Sequence, residues 1–167
     1  MSDFLSNFEK ANKNAKRLSN KILIDGKLIS PSTDSKIKVI NPSTGEGIGN
    51  APKCNKVDVD HAVKSSLNAF KEWKKIPARE RGRLVEQGAR KLEERRGEIE
   101  TLLALDTGNA LRTQAKPETA ASIELTRMFA GLSGEIKGEN YPPNISNTLH
   151  FTTRDPIGVV CAIVPWN

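Results

Sequence analysis

Eight consecutive residues, Ile157-Gly158-Val159-Val160-Cys161-Ala162-Ile163-Val164, carry no charge and no strongly polar side chain. The run is rich in β-branched residues, follows Asp155-Pro156 and stops at Pro165. A continuous apolar run of this length reads as a strand buried on both faces, as in parallel α/β sheets. Proline has no N–H to give a ladder, so the strand ends at Pro165. In open α/β sheets ligands bind just beyond the carboxyl ends of the strands. Pro165, Trp166 and Asn167 would stand there, offering a rigid turn, a flat apolar surface and an amide donor. Such a strand needs helices over both faces and neighbours on both edges. The 167 residues end just after it, so the expectation is the N-terminal portion of a larger protein. The alternative is a C-terminal strand inserted into a small sheet.

Composition agrees with that expectation. The chain has room for one domain and a sizeable core. Its hydrophobic fraction, 37%, lies below the roughly 45–50% (Gly included) of soluble domains. That deficit fits surface helices sharing a core with something else. No run approaches the roughly 18 apolar residues of a membrane helix, and residues 1–20 contain no apolar stretch of the signal-peptide kind. Cys54 and Cys161 fall in no CxxC or Cys/His spacing, which favours a reducing compartment and hence the cytoplasm. The net charge of +6 would suggest a nucleic-acid partner only if the cations clustered. Instead Arg79, Arg81, Arg83, Arg90, Arg95 and Arg96 alternate with Glu80, Glu86, Glu93, Glu94 and Glu98. Mixed signs at helical spacing describe a solvated helix face.

Taken in order, residues 1–20 are polar, with Phe4, Leu5 and Phe8 at helical spacing, and read as a short helix or, in preference, a flexible arm with a frayed end. From Lys21 the period becomes two. Ile22 and Ile24 precede Asp25-Gly26, with Leu28-Ile29 after them, a strong hairpin signal. Ile37 and Val39 give another strand, Asn41-Pro42-Ser43-Thr44-Gly45 a turn, and Gly47 to Ala51 a short strand. Four helices follow. Val59, Val63, Leu67 and Phe70 mark the first, with Ala62, Ala69 and Trp73 widening its face. Pro77 opens the second, which runs to Arg96 and is broken at Gly97. Ile99, Leu102, Leu103 and Leu105 mark a short third, closed by Asp106-Thr107-Gly108. Pro117 opens the fourth, striped by Ala121, Leu125, Met128, Phe129 and Leu132. Thr148 to Arg154 alternates like an edge strand. Strands, four helices, an edge strand and a buried parallel strand make an α/β protein's leading part.

Several stretches together resemble the aldehyde dehydrogenase superfamily. Asn41-Pro42-Ser43-Thr44-Gly45-Glu46 is similar to its NPxTGE turn, and Val57 to Val63 with Ala69-Phe70 and Trp73 to its first helix. Leu105-Asp106-Thr107-Gly108 resembles its LDTG turn and Phe129-Ala130-Gly131-Leu132 its YFAG segment. Arg154 to Val160 and Ile163-Val164-Pro165-Trp166-Asn167 resemble the REPxGVV…I.PWN signature. The likeness spans about Ile22 to Asn167.

The resemblance implies an α/β fold that is the N-terminal part of an aldehyde dehydrogenase: a leading hairpin and strands, about four helices, an edge strand, and the first buried strand of the Rossmann-like sheet. It divides the chain into a flexible arm (1–20), the N-terminal part of the NAD(P)-binding domain (21–147), an oligomerisation-type edge strand (148–156) and the first strand of the cofactor sheet (157–167). The implied activity is oxidation of an aldehyde to a carboxylic acid with NAD or NADP, in a homodimer or homotetramer with no nucleic-acid or membrane partner. In the family a cysteine thiolate forms a thiohemiacetal, hydride leaves to the nicotinamide, and a glutamate-activated water cleaves the thioester. Asn167 matches the oxyanion-binding asparagine, while Ile163, Val164, Pro165 and Trp166 match residues lining the adenosine side of the cofactor cleft. Val39, Ile40 and Asp106 match positions near a structural monovalent cation in some members, although Asp106 is more simply a turn residue. The family's nucleophile, base and glycine motif match nothing in these residues, so this chain alone is expected to be inactive. The other reading is a non-catalytic binding or assembly module of the same ancestry.

The remaining reactive side chains read as bystanders. Cys161, inside an apolar strand, should be an inert thiol. Cys54, beside Lys53 and Lys56, has no partner histidine near it in sequence. His61 and His150 read as surface residues, and Trp73 as packing.

Overall fold

A computed structural model describes residues 2–164, with side chains from residue 5 onward. Its first element is a helix, α1 (Ser2–Leu18), where the sequence suggested a flexible arm. The reason lies in tertiary contact. Ala11 is fully buried, and α1 packs on α4 (Arg96–Thr107) and on β4 (Gly47–Pro52). A small side chain at 11 lets the backbones approach, a signal that a search for large apolar residues passes over.

Three separate antiparallel hairpins accompany the helices. In the first, β1 (Ile22–Ile24) pairs with β2 (Lys27–Ile29), placing Leu23 opposite Leu28. Asp25 and Gly26 take φ of 52° and 69°, the left-handed pair that matches a two-residue turn to the strands' twist. In the second, β3 (Lys36–Ile40) pairs with β4, Val39 lying opposite Gly49, with an irregularity between Val39 and Ile40. The turn between them is closed by Asn41. Its N–H donates to the Glu46 carbonyl at 2.8 Å, its carbonyl accepts from Gly45 at 2.8 Å, and its Oδ1 accepts the Ser43 N–H at 2.9 Å. In the third, β5 (Asn140–Tyr141) pairs with β6 (His150–Phe151). The edge strand expected over Thr148 to Arg154 is realised only in those two residues.

Helix α2 (Lys56–Trp73) begins with reciprocal capping. Asn55 Oδ1 accepts the N–H groups of Val57 and Asp58, while Asp58 Oδ2 accepts the Asn55 N–H at 3.1 Å. Asp58 Oδ1 also accepts the Ser32 N–H at 2.7 Å, which fastens the β2–β3 loop to the helix. The Ser32 N–H, and after it that of Asn55, holds the Asp58 carboxyl below its usual range, with burial opposing.

Helices α3 (Ala78–Glu94) and α5 (Lys116–Leu132) form the most extensively packed pair. Ala89, Ile123 and Ala130 are buried there. At Gly82 a Cβ would stand 2.5 Å from the Ala130 carbonyl oxygen and nearer still to Ser133 Oγ. The break after α3 falls at Arg95, and Gly97 is already inside α4. Gly97 therefore does not end the second helix; it leaves room for the Asn7 side chain of α1. A π-helical turn, Leu111–Ala115, leads directly into α5.

The apolar run at 157–164 is the largest departure from expectation. It carries no strand pairing among the described residues, and Ile157, Ile163 and Val164 are 92%, 92% and 78% exposed. A strand is buried only when neighbours supply a ladder on its edges and helices over its faces. The described strands close on each other in pairs and offer it neither. Trp73, expected as packing, is likewise 41% exposed.

Asn55→Ala should cost about 1 kcal/mol in urea denaturation. Because the folded Asp58 value lies below the unfolded one, its contribution is complete above about pH 4 and is lost as pH falls through the folded value. Asp58→Asn should therefore flatten that acid limb. Gly82→Val should destabilise by about 1–3 kcal/mol through overpacking, where Gly88→Val, with nothing within 4 Å of its Cβ position, should not overpack.

Candidate functional site

The residues singled out by the sequence sit at the end of the chain, and the helices determine what lies under them. Residues 158–160 lie over the C-terminal half of α2, sharing a cleft with Phe70, Trp73 and Ile76. Farther along, Val164 sits in a second cleft against Leu92, Ile99, Leu103 and Ile123, contributed by α3, α4 and α5. The segment thus crosses from α2 to the α3–α5 surface. One of its faces meets apolar side chains, while most of its own side chains point to solvent. Thr119 shares the second cleft, and its hydroxyl is buried without a hydrogen-bond partner.

Of the expected cofactor-lining residues, Ile163 and Val164 are described, and both are exposed at the far end of this crossing. Pro165, Trp166 and the expected oxyanion donor Asn167 lie outside the described residues. Cys161, expected to be buried and inert, is exposed, because the strand that would bury it has no partners among the described residues. Cys54 is exposed between β4 and α2. His61 is exposed on α2 and His150 on β6.

The two internal turns singled out by sequence come together in space. Gly108 caps α4 in the left-handed conformation, φ 73°, its N–H donating to the Ala104 carbonyl. A Cβ there would stand 2.7 Å from Pro42 Cγ, so the glycine is required by conformation and by the neighbour at once. Asn41-Pro42 and Thr107-Gly108 are one packed corner. Beside it, Val39 and Asp106 line the same cleft of about 380 Å³, whereas Ile40 is exposed and is not among the cleft's residues. Among the described residues no group of three or more His, Cys, Asp or Glu side chains is placed to hold a metal ion.

Charge is arranged for solvation and helix docking. Arg83 pairs with Glu80, Arg90 with Glu86 and Lys91 with Glu94 along α3. Arg96 reaches both Glu93 and Glu100, and Arg127 of α5 reaches Glu93 across the helix pair at 3.6 Å. Glu98 is the more buried case. Hydrogen bonds from Arg95 hold its carboxyl below the usual range, with burial opposing, and Asn14 Nδ2 donates to it at 2.7 Å. The sequence reading missed the Asn55–Asp58 cap, although a side-chain acceptor followed three residues later by a carboxylate is the signal that could have found it. The meeting of Pro42 with Gly108 carries no such signal.

Comparison with known proteins extends these observations. The model of the aldehyde dehydrogenase family matches residues 29–167. Cytosolic 10-formyltetrahydrofolate dehydrogenase of Homo sapiens is 34% identical over 161 residues, covering 93% of this chain and 18% of that protein. Aldehyde dehydrogenase [NAD(P)+] 1 of Saccharomyces cerevisiae is 38% identical over 140 residues, covering 82% and 28%. Among solved structures, betaine aldehyde dehydrogenase of Staphylococcus aureus in complex with NAD+ superposes with a TM-score of 0.77 at 28% identity, over 86% of this chain and 29% of that one. The chain therefore spans less than a third of the relatives it matches.

Replacing Gly108 with Ala should cost about 1–2 kcal/mol from the left-handed backbone, and more from the Pro42 contact, read as a lower urea midpoint. Pairing it with Pro42→Ala should recover only the second part.

Proposed function

The chain belongs to the aldehyde dehydrogenase family, and from that premise we propose that the protein carrying it oxidises an aldehyde to a carboxylic acid with NAD or NADP. In this reading the chain is the leading part of a longer polypeptide. Residues 21–147 begin the NAD(P)-binding domain, 148–156 belong to an oligomerisation strand of a homodimer or homotetramer, and 157–167 form the first strand of the cofactor sheet. A cytoplasmic setting suits two exposed, unpaired cysteines.

The observation that carries the reading is the apolar run at 157–164, which falls inside the family match and lies open to solvent on one side. A parallel neighbour on each edge would turn that exposed surface into a sheet interior. The last residues of the run, Ile163 and Val164, would then face the adenosine end of the dinucleotide together with Pro165 and Trp166. When bound, the dinucleotide accepts the hydride that leaves the substrate carbon.

The chain's own chemical contribution in this proposal is Asn167. Attack of a cysteine thiolate on the aldehyde places negative charge on the former carbonyl oxygen, and an amide N–H fixed beside it stabilises that charge more than the neutral carbonyl. A preorganised donor of this kind is worth about 3–4 kcal/mol of barrier. The thiolate and the base that activates water are assigned to downstream sequence. Neither Cys54 nor Cys161 takes the nucleophile's role, since no histidine or other base is described as a partner of either.

In the whole protein Asn167→Ala should lower kcat by about 10²–10³ while leaving the dissociation constant for NAD(P) nearly unchanged. Reduced-cofactor absorbance and equilibrium titration read the two quantities. Equal losses in both would count against the oxyanion role, and no aldehyde-dependent reduction of either nucleotide by the whole protein would remove the proposed activity.

A further inference from the structure

We propose that α1 is a strap that holds the β3–β4 hairpin on the helical body, and that lifting it frees the hairpin together with the turn at its tip. The proposal stands apart from the chemistry above. Helix α1 precedes the family match, which begins at residue 29, and it packs on both the hairpin and α4.

The packing order is β4 on α1 and α1 on α4. No comparable packing joins the hairpin directly to α3, α4 or α5 among the described residues. Between hairpin and helices there is instead the cleft of about 380 Å³, with Val39 and Ile48 on one side, Ile99 and Leu103 on the other, and Leu18 of α1 spanning its end. A direct seat, Pro42 against Gly108, lies at the hairpin's tip.

Each end of the strap has its own fixing. Near its middle, fully buried Ala11 and the Asn14 bond to Glu98 hold it to α4, with Arg95 donating twice to the same carboxylate. The Asn7 side chain occupies the space that Gly97 leaves open. At its C-terminal end Ser19 Oγ accepts the Asn50 N–H at 2.9 Å, and the Asn20 N–H donates to the Asn50 carbonyl at 2.7 Å. Gly49, with a would-be Cβ 3.4 Å from the Ala15 carbonyl oxygen, keeps β4 close to the helix.

Such a strap has two states rather than a continuum. A helix of 17 residues is marginal in water without tertiary support, so a lifted α1 also unwinds. Its release is then a local opening, costing less than global unfolding and leaving the α3–α5 pair intact.

Amide hydrogen exchange of the whole protein tests this. Ala11→Glu places a charge where nothing is exposed, in the face by which α1 lies on α4. The expected result is exchange faster by about ten-fold or more in 2–18 and in 36–52, with α3 (78–94) and α5 (116–132) unchanged. Should that variant fail to fold, the double variant Asn14→Ala, Ser19→Ala removes one fixing to α4 and one to the hairpin and should accelerate 36–52 several-fold. Loss of protection in 2–18 while 36–52 keeps its own would overturn the strap, as would equal acceleration of α3 and α5 in either variant.

Discussion

At Gly82 helix α3 comes so close to the last turn of α5 that no side-chain carbon fits between them, and the rest of the structure is arranged around that contact. Ala89, Ile123 and Ala130 are buried along the same pair, so small side chains create the proximity and one large one fills what remains. The body built this way is narrow. Its other large apolar residues stand partly or wholly in solvent, Leu125, Met128, Phe129 and Leu132 on α5 among them. α4 joins this pair, α1 lies on α4, and the hairpin lies on α1. The two outer contacts each carry a polar bond, Asn14 to Glu98 and Asn50 to Ser19.

Local chemistry was the most legible part of the sequence. Asp25-Gly26 and Asn41 to Gly45 form the turns their residue types demand, because those φ values and side-chain bonds are set within a few residues. The faces of α2 and α5 were also readable as stripes, and the alternation of Arg with Glu along α3 is a row of solvated ion pairs as expected. What misled was any feature whose meaning depends on a distant neighbour. Gly97 looks like a helix breaker in sequence, yet in space it is a seat for Asn7. Residues 2–18 look too polar to fold, yet a single alanine and two asparagines suffice when α4 is there to receive them. The proline beside a left-handed glycine, 66 positions away, has no sequence signal at all.

The candidate site divides along the same line. Its sequence signature was legible residue by residue, and the family match covers it. Its geometry was not, because a run such as 157–164 becomes a strand only through partners that lie outside its own residues. The described part places Phe70, Trp73 and Ile76 beside 158–160, and the α3–α5 cleft beside Val164. Trp73 and Cys161 both stand on a surface that no described element covers.

An open apolar run also has consequences while a polypeptide is being made. Residues 157–164 leave the ribosome with their backbone N–H and C=O groups unpaired and their β-branched side chains uncovered, the state in which segments of separate chains zip together. The sequence brackets the run with Arg154-Asp155-Pro156 on one side and Pro165 on the other. Two charges and two prolines at its margins are gatekeepers: they shorten any intermolecular ladder to the length of the run itself. Pro165 therefore serves the nascent chain, by limiting how far a wrong neighbour can pair.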